Sequence, residues 1–274
     1  MPRIALYQAR SGIDPAANAA ALVAAVEEAA AGGAAMLFTP EMSNLVDGDR
    51  ERARAHVVAE ERDPTLAAVC EAARLSGLWV SLGSLAVDAG DGRFANRSFV
   101  IDDAGEVRGR YDKMHLFDVD LPSGERWRES SSYRPGEAAA IVPGTPVGTV
   151  GLTICYDLRF PALFARLAEA GADTILVPAA FTVPTGQAHW HILLRARAIE
   201  AGLFVIAAAQ GGHHEDGRRT YGHSLVIDPW GEVLADLGAG DEPRLGFAEV
   251  ELARIGEVRS RVPAIQHRRE VPAI

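Results

Sequence analysis

The 274-residue chain carries 27 Lys and Arg against 37 Asp and Glu, a formal net charge of −10, and is 48% hydrophobic and 23% charged. That balance excludes disordered, collagen-like and low-complexity chains, and the acidic excess argues against a partner held by its phosphate backbone. No apolar run nears the ~20 residues that cross a bilayer, and the opening MPRIALYQAR lacks the apolar core of a secretion signal.

In chain order, RIALYQA (3–9) reads as a strand. Asp14 as N-cap and Pro15 at the first helical position open a helix that runs to about residue 31 and stops at Gly32-Gly33. MLFTPE (36–41) reads as a strand stopped by Pro40, and Asp63-Pro64 opens a helix to about Ser76 that Gly77 closes. WVSLGSLAV (79–87) and residues 98–101 read as strands. The second half repeats this logic. TVGLTICYD (149–157) is a strand, Phe160-Pro161 starts a helix to about Ala170, and TILVPAA (174–180) is a strand. Thr185 is expected to cap a helix from about Gly186 to Glu200, followed by the strand LFVIAAAQ (203–210). HSLVIDPWGEVLADL (223–237) reads as two strands about a Pro-Trp-Gly turn, and GFAEVEL (246–252) as another strand. Strand–helix–strand units throughout, with no linker and no fixed-period repeat, point to an α/β fold in a single domain spanning 1–274. The long poorly patterned stretch 111–146 holds Tyr111, Lys113, His115, Trp127 and Glu129, and is expected to be functional.

Cys70 and Cys155 are the only cysteines and form no C-x-x-C pair, which argues against a disulfide framework or structural zinc and for two free thiols in a reducing cytoplasm. Cys155 ends an apolar strand just before a helix start, where ligands gather and where backbone N–H groups favour a thiolate. A buried core cysteine is the equal alternative for Cys155, and the better one for mid-helix Cys70. His115, His189, His191, His213, His214 and His223 are candidate bases without a local signature. His189 and His191, two apart, point to different faces of a helix, so a metal-dependent hydrolase is a weak alternative. Residues 213–216 read as a solvated loop. Glu41 ends a strand and Lys113 lies among apolar neighbours, although each taken singly reads as a surface charge.

FTPE (38–41), YDKMHLFDVD (111–120) and GLTICYDLRFP (151–161) resemble the three signature blocks of the nitrilase, or carbon–nitrogen hydrolase, superfamily. The resemblance continues to VRSRVPAIQHRR (258–269). In that family a Glu, a Lys and a Cys in this chain order form the catalytic set, which here falls on Glu41, Lys113 and Cys155. The family's second Glu best matches Glu129, with Glu125 and Glu137 as rivals. CYDLRFPALF, TGQAHWHILLRARAIE (185–200), AAAQGGHH (207–214) and YGHSLVIDPWGEV (221–233) are similar to the Nit branch of amidases, while the loop SGERWRES (123–130) departs from it.

The resemblance implies a four-layer αββα sandwich, a homodimer packed through helices or a larger homo-oligomer, and no metal or cofactor. It also implies an amidase working through a cysteine thioester, with Lys113 and the Tyr156 backbone N–H at the oxyanion. The substrate implied is a small amide bearing a carboxylate, namely deaminated glutathione, cleaved to α-ketoglutarate and cysteinylglycine. An ω-amidase acting on α-ketoglutaramate or succinamate is the alternative, and a catalytically inactive binding module is a third. Arg159, four residues past Cys155, is a candidate grip for that carboxylate, evenly weighed against an internal ion pair with Asp157 or another acid. Thr185 would add a hydroxyl at a helix N-terminus and Phe181 a pocket wall, though core packing suits Phe181 better. Arg195 and Arg197 read as structural.

Overall fold

The computed structural model describes residues 1–120, 124, 126–270 and 272. The first half forms β1 (Arg3–Gln8), α1 (Pro15–Ala31), β2 (Met36–Phe38), α2 (Arg50–His56), α3 (Pro64–Ser76), β3 (Trp79–Asp88), β4 (Phe94–Ile101) and β5 (Val107–Asp112). A hairpin of β6 (Asp118–Asp120) and β7 (Arg126–Arg128) follows. The second half contributes β8 (Ala140–Thr145), β9 (Gly148–Leu152), α4 (Pro161–Glu169), β10 (Thr174–Leu176), α5 (Val183–Ala201) and β11 (Phe204–Ala207). It ends with β12 (Gly211–His213), β13 (Arg219–Tyr221), β14 (Leu225–Ile227), β15 (Val233–Asp236), β16 (Arg244–Glu249) and α6 (Ala253–Arg261).

Two six-stranded sheets run β16-β1-β2-β3-β4-β5 and β15-β14-β11-β10-β9-β8. The central trios β1-β2-β3 and β9-β10-β11 are parallel and their outer partners antiparallel. Side chains alternate sides along a strand, and the first sheet uses that alternation fully. Ala5, Tyr7 and Leu37 pack with Leu22 and Val26 of α1 and Val69 of α3, whereas Ile4, Leu6, Met36 and Phe38 face the second sheet. The second sheet is covered in turn by Leu163, Phe164 and Leu167 of α4 and by Trp190 and Leu194 of α5. The result is a four-layer αββα sandwich. No helix among the described residues is long and apolar enough to cross a membrane.

Helix starts follow local chemistry. Asp14 accepts from Ala16 N at 2.9 Å, Asp63 accepts from Thr65 N and Leu66 N at 2.9 Å, and a proline opens both helices. The start of α5 differs from expectation. Thr182 is its N-cap and the helix begins at Val183, because Pro184 sits in the first turn with its φ already helical. Thr185 is therefore inside that turn, its hydroxyl 2.8 Å from Thr182 Oγ1 and 3.2 Å from Thr182 O. Strand β2 ends at Phe38, β9 at Leu152 and β10 at Leu176, each earlier than the apolar run that announces it. The residues freed beyond those ends build the site.

Candidate active site

Beyond β2, the segment Thr39–Pro40–Glu41 leaves the first sheet, and beyond β9 the segment Thr153–Ile154–Cys155 leaves the second. Both ends open on one cavity of about 310 Å³, lined among others by Glu41, Asn96, Lys113, Glu129, Tyr133 and Cys155. Lys113 is only 2% exposed, Glu41 4% and Cys155 7%. Lys113 Nζ donates to Glu41 Oε1 at 2.8 Å and to Glu129 Oε2 and Oε1 at 2.8 and 3.1 Å. Asn96 Nδ2 donates to the same two carboxylates. Glu129 further accepts from Phe117 N at 2.7 Å, which ties it to the segment after Lys113.

The backbone that holds these groups is unusual. Met42 and Cys155 have φ of +56° and +50°, in the left-handed region that non-glycine residues rarely visit and that surrounding structure must enforce. Met42 N donates to Ser84 Oγ at 2.9 Å, Gln210 Nε2 to Glu41 O at 3.0 Å, and Cys155 N to Pro178 O at 2.9 Å. Gly83 lies where the Thr39–Glu41 loop meets Pro178 of the segment after β10. A Cβ there would stand 2.0 Å from Thr39 O, 2.5 Å from Pro40 O and 2.6 Å from Pro178 Cβ, so only glycine fits. Asp157, fully buried, joins the cysteine segment to the lysine segment. It accepts from Ile154 N (2.9 Å), Tyr111 Oη (2.7 Å) and His115 N (3.0 Å) and contacts His115 Nδ1 at 2.7 Å.

Charge and burial work against each other here. Burial alone would lower the Lys113 ammonium, but the Glu129 and Glu41 carboxylates outweigh it and hold the pKa well above the ordinary lysine value. Burial, reinforced by the Glu41 charge, pushes the Cys155 thiol well above its usual value despite Lys113 nearby. The thiol therefore keeps its proton near neutral pH, with the Glu41 side chain beside it.

Tyr156, Phe181 and Thr185 line the cavity. Phe181 does so from the apolar core, 4.7 Å between ring centroids from Trp190. Arg159 is not among the lining residues. Its guanidinium lies over the rings of Tyr156 and Phe181, with Nη1 3.3 Å from His189 Nδ1, and the ion pair weighed for it with Asp157 is absent because Asp157 spends its oxygens elsewhere. Glu137 is exposed and does not line the cavity, and Glu125 lies outside the described residues. The loop 213–216 is not uniformly solvated: His214 is buried between Ser11 O (2.8 Å) and Thr220 Oγ1 (2.7 Å), and burial lowers its pKa. Cys70 is half-buried on α3 and packs at the edge of the α1–α3 core. Arg197 is buried and donates to Leu158 O, and Arg195 donates to Gly231 O. Among the described residues, His191, His223 and Asp236 bring ligand atoms within 4.8 Å of one another, with His191 Nε2 3.1 Å from Asp236 Oδ2; none lines the cavity. Sequence reasoning missed Asn96, Tyr133 and Arg218 of the cavity lining and named Asp157 only as a partner for Arg159. Only Asp157 carried a visible signal, its place in CYD.

A family model for carbon–nitrogen hydrolases matches residues 3–260. The chain belongs to the carbon–nitrogen hydrolase family. This hydrolase is 40% identical over 245 residues to the deaminated glutathione amidase of Yersinia enterocolitica, covering 87% of this chain and 83% of that one. The crystal structure of the C. elegans NitFhit protein matches with a TM-score of 0.87 at 37% identity over 98% of this chain, which spans 65% of that longer one. A mutant of the amidase from Nesterenkonia sp. AN1, 28% identical with a TM-score of 0.81 over 98% of this chain and 94% of that one, shows the acetamide moiety of fluoroacetamide added covalently at its active-site cysteine. The hydrolase described here is thus an amidase of the nitrilase superfamily, and its αββα sandwich is the fold of that superfamily.

Proposed function

We propose that this amidase hydrolyses deaminated glutathione to α-ketoglutarate and cysteinylglycine through a thioester on Cys155. The observation that carries the reading is Lys113 Nζ held 2.8 Å from both Glu41 and Glu129 in the cavity that contains the Cys155 thiol. Glu41 takes the thiol proton as Sγ bonds to the amide carbon, then delivers it to the departing nitrogen as the C–N bond breaks. Lys113, kept charged by its two carboxylates, and the Tyr156 N–H, at the first turn of a short helix where amides lack helical partners, stabilise the oxyanion. Glu129 holds Lys113 in place. Water, deprotonated by Glu41, then attacks the thioester; the C–S bond breaks and the proton returns to sulfur. The covalent adduct on the cysteine of the Nesterenkonia amidase supports the covalent step, and the Yersinia relative's activity supports the substrate.

The test has two parts. Cys155→Ala should abolish amine release, and mass spectrometry of the quenched wild-type enzyme should show an acyl adduct on the peptide containing Cys155; unchanged turnover in that variant overturns the chemistry. The kcat/KM on deaminated glutathione should exceed that on α-ketoglutaramate. The reverse order assigns the chain to the ω-amidases instead.

We further infer that the enzyme works as a homodimer. Ile192 and Ile199 of α5 and Trp230 and Leu234 around the β14–β15 turn are exposed, and a Cβ on Gly231 would touch Ile199, so helix and turn share one apolar face. Sedimentation of the wild type and of Ile192→Lys/Trp230→Lys tests it: the double variant should be monomeric.

A further inference from the structure

The cavity around Cys155 continues into a second hollow of about 350 Å³, and Gly48, Trp127, Thr182 and Arg218 line both. At this junction two buried donor atoms, Trp127 Nε1 and Arg218 Nε, have no partner among the described residues. The guanidinium stacks over the Trp127 ring at 4.8 Å from its centroid. Trp127 and Arg218 can only donate hydrogen bonds, so the wall shared by the two hollows holds two unmet N–H groups and a positive charge.

Both groups are held in position. Trp127 is paired with Val119 across the β6–β7 hairpin, and Arg218 sits in a turn closed by His214 N to Arg218 O at 2.8 Å. Asp216 and Asp47 flank the guanidinium but leave its Nε without a hydrogen-bond partner among the described residues. Asp216 takes only Nη2, at 3.3 Å, and Asp47 is occupied by Arg52 Nε and Nη2 at 2.6 and 2.7 Å. We propose that Trp127 and Arg218 form an anchor for a carboxylate of the amide substrate, between the Cys155 cavity and the second hollow. A carboxylate offers the acceptor lone pairs that both donors lack and the charge that the guanidinium favours. Arg159, the cation first expected in this role, does not line either hollow. The anchor rests on the Cys155 reading above, but not on deaminated glutathione being the substrate. The carboxylate belongs either to the acyl part or to the departing peptide.

Two matched pairs separate these sources: α-ketoglutaramate against butyramide, and deaminated glutathione against the same compound with its glycine carboxylate amidated. The readout is the ratio of kcat/KM for the charged member to that for the neutral one, in Arg218→Gln and Trp127→Phe, which keeps the stacked ring. Arg218→Gln should lower that ratio about tenfold or more, mainly through KM, for the pair whose carboxylate occupies the anchor, with a smaller fall in Trp127→Phe. A fall in the first pair places the acyl carboxylate there, and a fall in the second places that of the leaving peptide. Ratios within about twofold of wild type for both pairs, in variants with unchanged melting temperature, overturn the anchor. Should the wild type hydrolyse no deaminated glutathione, the substrate assignment above fails and the anchor stands or falls on the first pair.

Discussion

Asn96 Nδ2 donates to Glu41 Oε1 at 2.9 Å, while Asn96 Oδ1, buried, has no partner among the described residues. The amide orientation is dictated by charge, since the reversed group would set its oxygen against the carboxylates of Glu41 and Glu129. Asn96 thereby positions Glu41 without being in the expected catalytic set. Asn96→Leu should lower kcat by a free energy of ~1.5–3 kcal/mol, the scale of a hydrogen bond to a charged group. Asn96→Asp, which adds a third carboxylate around Lys113, should lower it further. Steady-state kcat beside a thermal melt checks this, and wild-type kcat in Asn96→Leu would refute it.

Lys113→Met leaves Glu41 and Glu129 facing each other with no cation between them. Removing one partner of a buried ion pair costs ~3–5 kcal/mol. The urea midpoint should fall accordingly, together with turnover. A midpoint equal to wild type would mean that the carboxylates take up protons at little cost.

The raised Cys155 thiol sets a sign on the alkaline side. The folded protein keeps this proton while the unfolded chain loses it from about pH 8.5 upward, so stability falls as pH rises through that range. Lys113, raised in the folded state, contributes stability that is complete below about pH 10.4 and is lost as pH climbs further. Unfolding free energies across this range should decline in two stages. Cys155→Ala should shrink the first, leaving the part due to the Cys70 thiol, which burial also raises, and an ultraviolet thiolate band should be missing from the native wild type near neutral pH.

His214 acts on the acid side. Its lowered pKa means that the unfolded chain binds a proton from about pH 6.5 downward while the native state resists. Stability therefore falls as pH drops below that point, and His214→Gln should shrink the fall when melts are compared across mildly acidic buffers.

Much of this molecule could be read before any coordinates. Asp14, Asp63 and their prolines mark helix starts by side-chain capping alone, whereas Glu41 and Cys155, though they end apolar runs, are singled out only by the family resemblance. What escaped depends on contacts between distant segments. Asn96 in FANRSFVI looks like any polar strand residue until sheet pairing turns it toward the cavity. Arg218 and His214 sit in a charged run whose composition suggests solvent, yet packing against Trp127 and Ser11 covers them. Arg159 lies outside the cavity lining for a geometric reason. Residues Cys155–Arg159 form a 3₁₀ turn of about three residues per revolution, so the fourth residue on is rotated away from the position an α-helix would give it.

Gly83 shows how far the chemistry reaches into the scaffold. It carries no side-chain atom, yet the bare hydrogen at this position lets the strand beneath lie flush against the loop that carries Glu41 and against Pro178, whose carbonyl accepts from Cys155 N. A single methyl inserted here would act as a shim and drive apart two loops whose spacing the reaction depends on. Variation should thus be least tolerated at a place where the chain offers no side chain at all.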